Sequence, residues 1–255
     1  LFSFDHPLLL GLLLGILLAS ALDVRRQVAV RYQINKTPER KEQMVTIRDV
    51  CFILLSLLLG FTLTFAGSGF AERRSVAVEE AVSIGATYLR ASSLPPPYRD
   101  RSKQPLRENV DPRLAIDDAD WSLFDEAMRR FKCIQDELWL DVATVAQNDR
   151  SAITAVYLNS RNETVDLDAK RFAAFECHVA PPMWILIIFV SLFVGFTRGA
   201  TMKSRIWLSL ILIPITVAIV VALIADLDTA THGLMRLDQR SLQRLKAEMG
   251  HELAH

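Results

Sequence analysis

The stretch VCFILLSLLLGFTLTFAGSGFAERRSVAVEEAVSIGATYLR, Val50–Arg90, decides how this chain is read. Its first half, to Phe70, is apolar for about 20 residues, the length a helix needs to cross ~30 Å of hydrocarbon. Its second half is charged, permissive for helix and free of proline. A membrane helix is therefore expected to run straight out of the lipid into an aqueous domain and to couple the two rigidly. Leu94-Pro95-Pro96-Pro97 ends that helix, because proline removes a backbone donor and crowds the preceding turn.

Three further apolar stretches flank this one, at about Pro7–Leu22, Met183–Phe196 and Ile206–Ala225. The first and third of the four stretches are short and must borrow flanking residues or tilt to span; a short buried core helix is the alternative for either. Ala19-Ser20-Ala21 resembles a signal-peptide cleavage site, but Asp5 and His6 stand where a basic n-region belongs. A retained span is expected. Half the residues are hydrophobic (51%), 23% are charged and the formal net charge is zero. That mixture fits a few spans plus a soluble domain, and it lacks the basic footprint of nucleic-acid binding.

The middle region reads as helical. Val76, Val78, Ala81, Ile84, Tyr88 and Leu89 form an apolar stripe on the helix leaving the membrane. Tyr98–Asp118 is polar and poorly periodic. Asp120 looks like the N-cap of a helix bearing Trp121, Phe124, Met128, Phe131 and Ile134, running to about Ala146. A further helix, about Ser151–His178, is expected to break near Asn159–Asn162. Leu234, Leu237, Leu242, Leu245 and Met249 mark a last amphipathic helix. The fold class expected is all-α: an integral membrane protein with four transmembrane helices and a helical soluble domain between spans two and three. The divisions are a hairpin over 1–69 (spans about 7–22 and 50–69), the soluble domain over 70–181, a second hairpin over 182–226 (spans about 182–198 and 205–226) and the amphipathic helix in 227–255.

Positive residues favour the cytoplasmic side of short loops. The loop Asp23–Asp49 carries seven basic against four acidic residues, and Arg198, Lys203 and Arg205 lie between spans three and four without an acid. The region Phe70–Pro181 carries 15 basic against 19 acidic residues. The two short loops are therefore expected in the cytoplasm, with the soluble domain and both termini outside, the periplasm of a bacterium. Cys133 and Cys177 could pair only in such an oxidising compartment; unpaired thiols are the expectation.

Three motifs resemble a known family. Leu58–Pro95 contains Arg73, Arg74, Glu79, Glu80, Ala81, Ile84, Gly85, Tyr88, Leu89, Arg90, Leu94 and Pro95, and it looks like the bacterial bestrophin-like membrane family. VDLDAKRFAAFECHVAPPMW and LIADLDTATHGLMRLDQRSLQRL supply the second and third matches, with Thr229 at a place where the family tends to proline. The resemblance covers nearly the whole chain. It implies kinship with bestrophins: oligomeric anion channels with four spans per subunit, a helical domain between spans two and three, and a pore lined by span two. Bestrophins keep that domain in the cytoplasm, opposite to the charge count here.

Leu57, Phe61 and Phe65 fall at i, i+4 and i+8 and share one helix face. A ring of such faces would make a hydrophobic constriction that gates by dewetting. Thr62 adds a hydroxyl, and Ser56, Gly60 and Thr64 form a small, weakly polar face beside it. The alternative is an aromatic face toward lipid and a small face packing helices. Arg73, Arg74, Glu79 and Glu80 sit just beyond the span, as a pore mouth or intersubunit charges, or as a solvated helix; Glu80 shares a face with Ile84 and Tyr88 and is the more buried of the acids. Asp226 and Asp228 would cap the last helix or bind Arg236, or lie in the headgroup zone.

No span interior holds an ionisable residue, which argues against a proton-coupled transporter or a voltage sensor. His251-Glu252-Leu253-Ala254-His255 matches HExxH, but the chain stops at the second His and Gly250 weakens the helix. Neither an enzyme nor a bound metal or cofactor is expected. The partners implied are the lipid bilayer and further copies of the chain, in an ion channel of the bacterial inner membrane. A non-conducting scaffold or accessory subunit of a larger membrane complex is the alternative.

Overall fold

A computed structural model describes residues 7–32, 38–96, 98–108, 110–111, 113–114, 129, 139, 143–145, 147–149, 151–201, 207–229, 235 and 238–251. Among these the chain is all-helical: α1 (Pro7–Tyr32), α2 (Pro38–Ala91), α3 (Tyr98–Glu108), α4 (Ala152–Glu176), α5 (Pro181–Thr201), α6 (Trp207–Asp228) and α7 (Arg240–His251). Two helical stretches, Glu42–Ala91 and Ala152–Thr197, are long and apolar enough to cross a membrane, and Leu9–Ala21 is a shorter apolar helix. The chain forms two compact units. One comprises Leu1–Phe70 and His178–Met235, the other Ala71–Cys177 and Arg236–His255.

In the first unit α1 packs on α5 and α6. The α1–α6 seam is built from small residues. A Cβ on Gly11 would come within 2.7 Å of both the Ala218 carbonyl oxygen and the Ala222 Cβ, and one on Gly15 within 3.1 Å of the Ala218 Cβ. Gly11-x-x-x-Gly15 thus faces Ala218-x-x-x-Ala222, the spacing that lets two helix backbones approach closely in lipid. Leu14 and Leu18 of α1, Leu55 and Leu59 of α2, Ile187 of α5 and Ile224 of α6 fill the core beside it.

The start of α5 is held by the end of α6. Pro181 and Pro182 carry no N–H, Met183 N donates to the Ala180 carbonyl (2.9 Å), and Val179 N donates to Asp228 Oδ1 (2.8 Å).

In the second unit Ala81, Ile84 and Tyr88 of α2 pack with Leu106 of α3 and with Leu242 and Leu245 of α7. The seam of α2 with α4 is polar instead. Ser83 and Thr87 hydroxyls lie 2.9 and 3.0 Å from Thr164 Oγ1, and Thr87 Oγ1 also reaches the Ser160 carbonyl at 3.0 Å. Both helices bury residues in alternating steps of three and four: Arg73, Val76, Glu80, Ser83 and Thr87 on α2, and Thr154, Tyr157, Arg161, Thr164, Asp168, Arg171 and Phe175 on α4. A period near 3.5 keeps each seam on one helix face.

Several elements differ from the sequence expectation. The segment after Pro97 is not irregular but forms α3, because Leu106 is buried and Tyr88 draws in the stems of Lys103 and Arg107, whose charges lie 4.7 and 5.0 Å from its ring centroid. No break occurs at Asn159–Asn162: both asparagines are exposed and make no demand on α4, while Ser160 and Arg161 between them are buried. Val78 and Leu89 lie exposed outside the apolar stripe. The helices outrun the first loop, α1 reaching Tyr32 and α2 starting at Pro38. The last helix starts at Arg240, where Asp238 Oδ1 accepts its N–H at 3.0 Å. Most of the helix read over Asp120–Ala146, with Cys133, and Leu234, Arg236, Leu237 and Glu252–His255 lie outside the described residues.

Candidate functional site

Leu57, Phe61 and Phe65 lie together on the outside of the first unit, 53%, 64% and 53% exposed. Gly60 stands among them, and a Cβ added there would meet nothing within 4 Å. Glycine in a helix interior costs about 1 kcal/mol against alanine, and no contact among the described residues offsets that cost. Thr64 and Ser68 on the same side turn their hydroxyls back to the Gly60 and Thr64 carbonyls, 2.9 Å each. The face therefore offers aromatic rings and methyls without free donors. Thr62 is elsewhere: it is buried in the opposite face and donates to the Leu58 carbonyl at 2.7 Å.

The four charges beyond this segment separate into two pairs. Arg74 and Glu79 are exposed, and Glu79 accepts a hydrogen bond from Ser75 Oγ at 3.0 Å. Arg73 and Glu80 are buried, one heptad apart. Arg73 Nη1 donates to the Cys177 carbonyl at 3.2 Å. Asp226 and Asp228 are buried at the end of α6, where Asp226 Oδ2 accepts the Met235 N–H at 3.1 Å.

Glu80 is the centre of a buried charge cluster. It pairs with Arg113 through Oε1 and with Arg171 through Oε2, while Arg113 Nη2 lies 2.6 Å from Asp168 Oδ1. Burial opposes ionisation of Glu80, but Arg113, Arg171 and a hydrogen bond from Asp168 outweigh it and hold the carboxyl below its ordinary value. For Asp168 burial dominates. Arg113 opposes it, the hydrogen bond and charge of Glu80 reinforce it, and the carboxyl is pushed up to about 7. The surroundings thus favour the charge on Glu80 and the proton on Asp168. Arg161 completes the group; burial pulls its guanidinium down, with Tyr157 and Asp168 acting against that shift.

Charges removed from water survive only when paired. The cluster therefore locks α2, Arg113 and α4 to one another. Sequence reading marked Glu80 and missed Arg113, Arg161 and Asp168 as its neighbours. The available signal was on α4, where polar and charged residues occupy the three-and-four positions that a water-facing helix would leave to apolar ones. Among the described residues no group of three or more His, Cys, Asp or Glu side chains is arranged to hold a metal.

The family model for the Bestrophin-like domain matches residues 16–242. The chain is also similar to a crystal structure of a point mutant of a bacterial bestrophin homologue from Klebsiella pneumoniae, at 14% identity and TM-score 0.64, covering 98% of each chain. No curated protein matches it.

Proposed function

The chain belongs to the Bestrophin-like family, and from that membership we propose that it is a homo-oligomeric anion channel of the bacterial inner membrane. Four spans carry it: α1, the first part of α2, α5 and α6. The second of these lines the ion path. The observation that carries this reading is the exposed Leu57–Phe61–Phe65 face with Gly60 unoccupied at its centre. Copies of one chain, each offering that face to a common axis, would form a narrow apolar ring able to gate by dewetting. The role is not enzymatic.

Purified protein reconstituted into liposomes should form a ring-shaped oligomer and pass chloride. A ring that passes no ion supports instead a non-conducting scaffold within a larger membrane complex, a role for which the exposed Val78, Val82 and Leu89 on α2 would serve as a docking surface. Charge distribution favours the second unit outside the cytoplasm. Cys177 is exposed and free, so a membrane-impermeant thiol reagent should label it in intact spheroplasts. Labelling only after lysis would reverse the orientation.

A further inference from the structure

Arg161 on α4 is 1% exposed, yet its Nε and Nη1 have no hydrogen-bond partner among the described residues. Among the described residues, the carboxylates Glu80 and Asp168 lie with the guanidiniums of Arg113, Arg161 and Arg171. Glu80 pairs with Arg113 and Arg171, and Asp168 Oδ1 lies 2.6 Å from Arg113 Nη2 as an ion pair, without a hydrogen bond of its own. Arg161 takes part through charge alone, with Tyr157, Asp168 and Arg113 around it. A buried guanidinium cannot escape by losing its proton in the physiological range, and its donors in a dry site demand acceptors.

We propose that Arg161 is the principal donor of a buried binding site for a small inorganic anion of halide or nitrate size. Size follows from enclosure: every side chain named around the guanidinium is itself buried except at its margins, so a bulky organic anion would have to open the seam between α2 and α4. Charge follows from Arg161 itself, a buried fixed cation whose Nε and Nη1 have no acceptor among the described residues. The site lies in the second unit, whereas Leu57, Phe61 and Phe65 belong to the first, so it stands whether or not the protein conducts.

Occupancy is linked to Asp168. The groups facing Asp168 are Glu80 from α2, Arg113, and Arg161 from its own helix, with Arg171 held through Glu80. When Asp168 ionises it supplies the counter-charge that the anion supplies otherwise. Anion and ionised Asp168 therefore compete, and the anion binds more tightly at pH 6 than at pH 8.

The test is thermal unfolding of the full chain in detergent, in chloride against gluconate at equal ionic strength. Chloride should raise the midpoint by a few degrees at pH 6 and by less at pH 8, and R161Q should abolish the rise. Equal midpoints in the two salts for the unaltered chain, or an undiminished rise in R161Q, overturn the site. An equal rise at both pH values overturns the competition with Asp168. Crystals of the unaltered chain grown in bromide give a reading free of any folding defect: anomalous density within hydrogen-bond reach of the Arg161 guanidinium supports the site, and its absence refutes it. Ion flux enters none of these readouts.

Discussion

Glu80 on α2 and Asp168 on α4 meet on one guanidinium, Arg113 pairing with Glu80 Oε1 and lying 2.6 Å from Asp168 Oδ1, and both carboxyls are shut away from water. The folded Asp168 holds its proton up to about 7, against a reference value of 3.8. Between those values the folded chain keeps a proton that the unfolded chain has released. Stability contributed by Asp168 is therefore complete below about pH 4, falls as pH rises toward 7, and levels off above. Glu80 is shifted the other way, so its contribution is lost as pH falls from its ordinary value of 4.5 toward its depressed folded value, overlapping only the acid end of that window. Asp168→Asn cannot ionise. Its unfolding free energy should stay flat from pH 5 to 7 while that of the unaltered chain falls by about 2 kcal/mol, read by denaturant unfolding across that range. Parallel declines would count against a raised Asp168.

Glu80 and its neighbour Glu79 should behave oppositely. Glu80→Ala strands Arg113 and Arg171 in a dry seam and is expected to cost about 3–5 kcal/mol. Glu79→Ala removes an exposed carboxylate and should stay within about 0.5 kcal/mol. Denaturant unfolding of the two variants side by side decides it; similar losses would mean that burial of Glu80 is not what sets its worth.

The glycines make a similar contrast. Gly11→Ala drives a methyl into the Ala218 backbone and the Ala222 side chain. Neither neighbour can swing aside, so a loss of about 1–3 kcal/mol is expected. Gly60→Ala has open space in the single chain and should gain up to about 1 kcal/mol of helix propensity. If copies meet across this face, the same methyl should weaken the oligomer. Melting temperature and sedimentation of both variants separate the two effects.

Phe61→Ala with Phe65→Ala should leave the melting temperature of the monomer unchanged, because both rings are exposed. Flux through liposomes should rise severalfold if these rings form the constriction. Unchanged flux from a folded, oligomeric double variant would place the path elsewhere.

What the sequence made legible was local. α2 showed itself through an apolar run continued by charged, proline-free residues, and its end through three prolines in a row. The burial of Glu80 over Glu79 was visible from its phase with Ile84 and Tyr88. What stayed hidden depends on distant partners. Arg113 and Asp168 are ordinary polar residues until α4 and the segment beyond α3 are folded against α2. α3 was obscured because its buried stems belong to Lys103 and Arg107, residues whose charged ends suggest solvent. The Gly11-x-x-x-Gly15 spacing was present all along, but a glycine pair gains meaning only once Ala218 and Ala222 lie opposite.

The start of α5 has a consequence for how this protein can attract anions. A helix normally opens with unsatisfied N–H groups that act as an anion trap. Here two prolines delete donors, Met183 turns its N–H to Ala180, and Asp228 takes that of Val179 while adding a negative charge. The start of α5 therefore offers an anion fewer backbone donors than an ordinary helix N-terminus, and arginines and lysines, which mutation and modification can reach, become handles on any attraction near it.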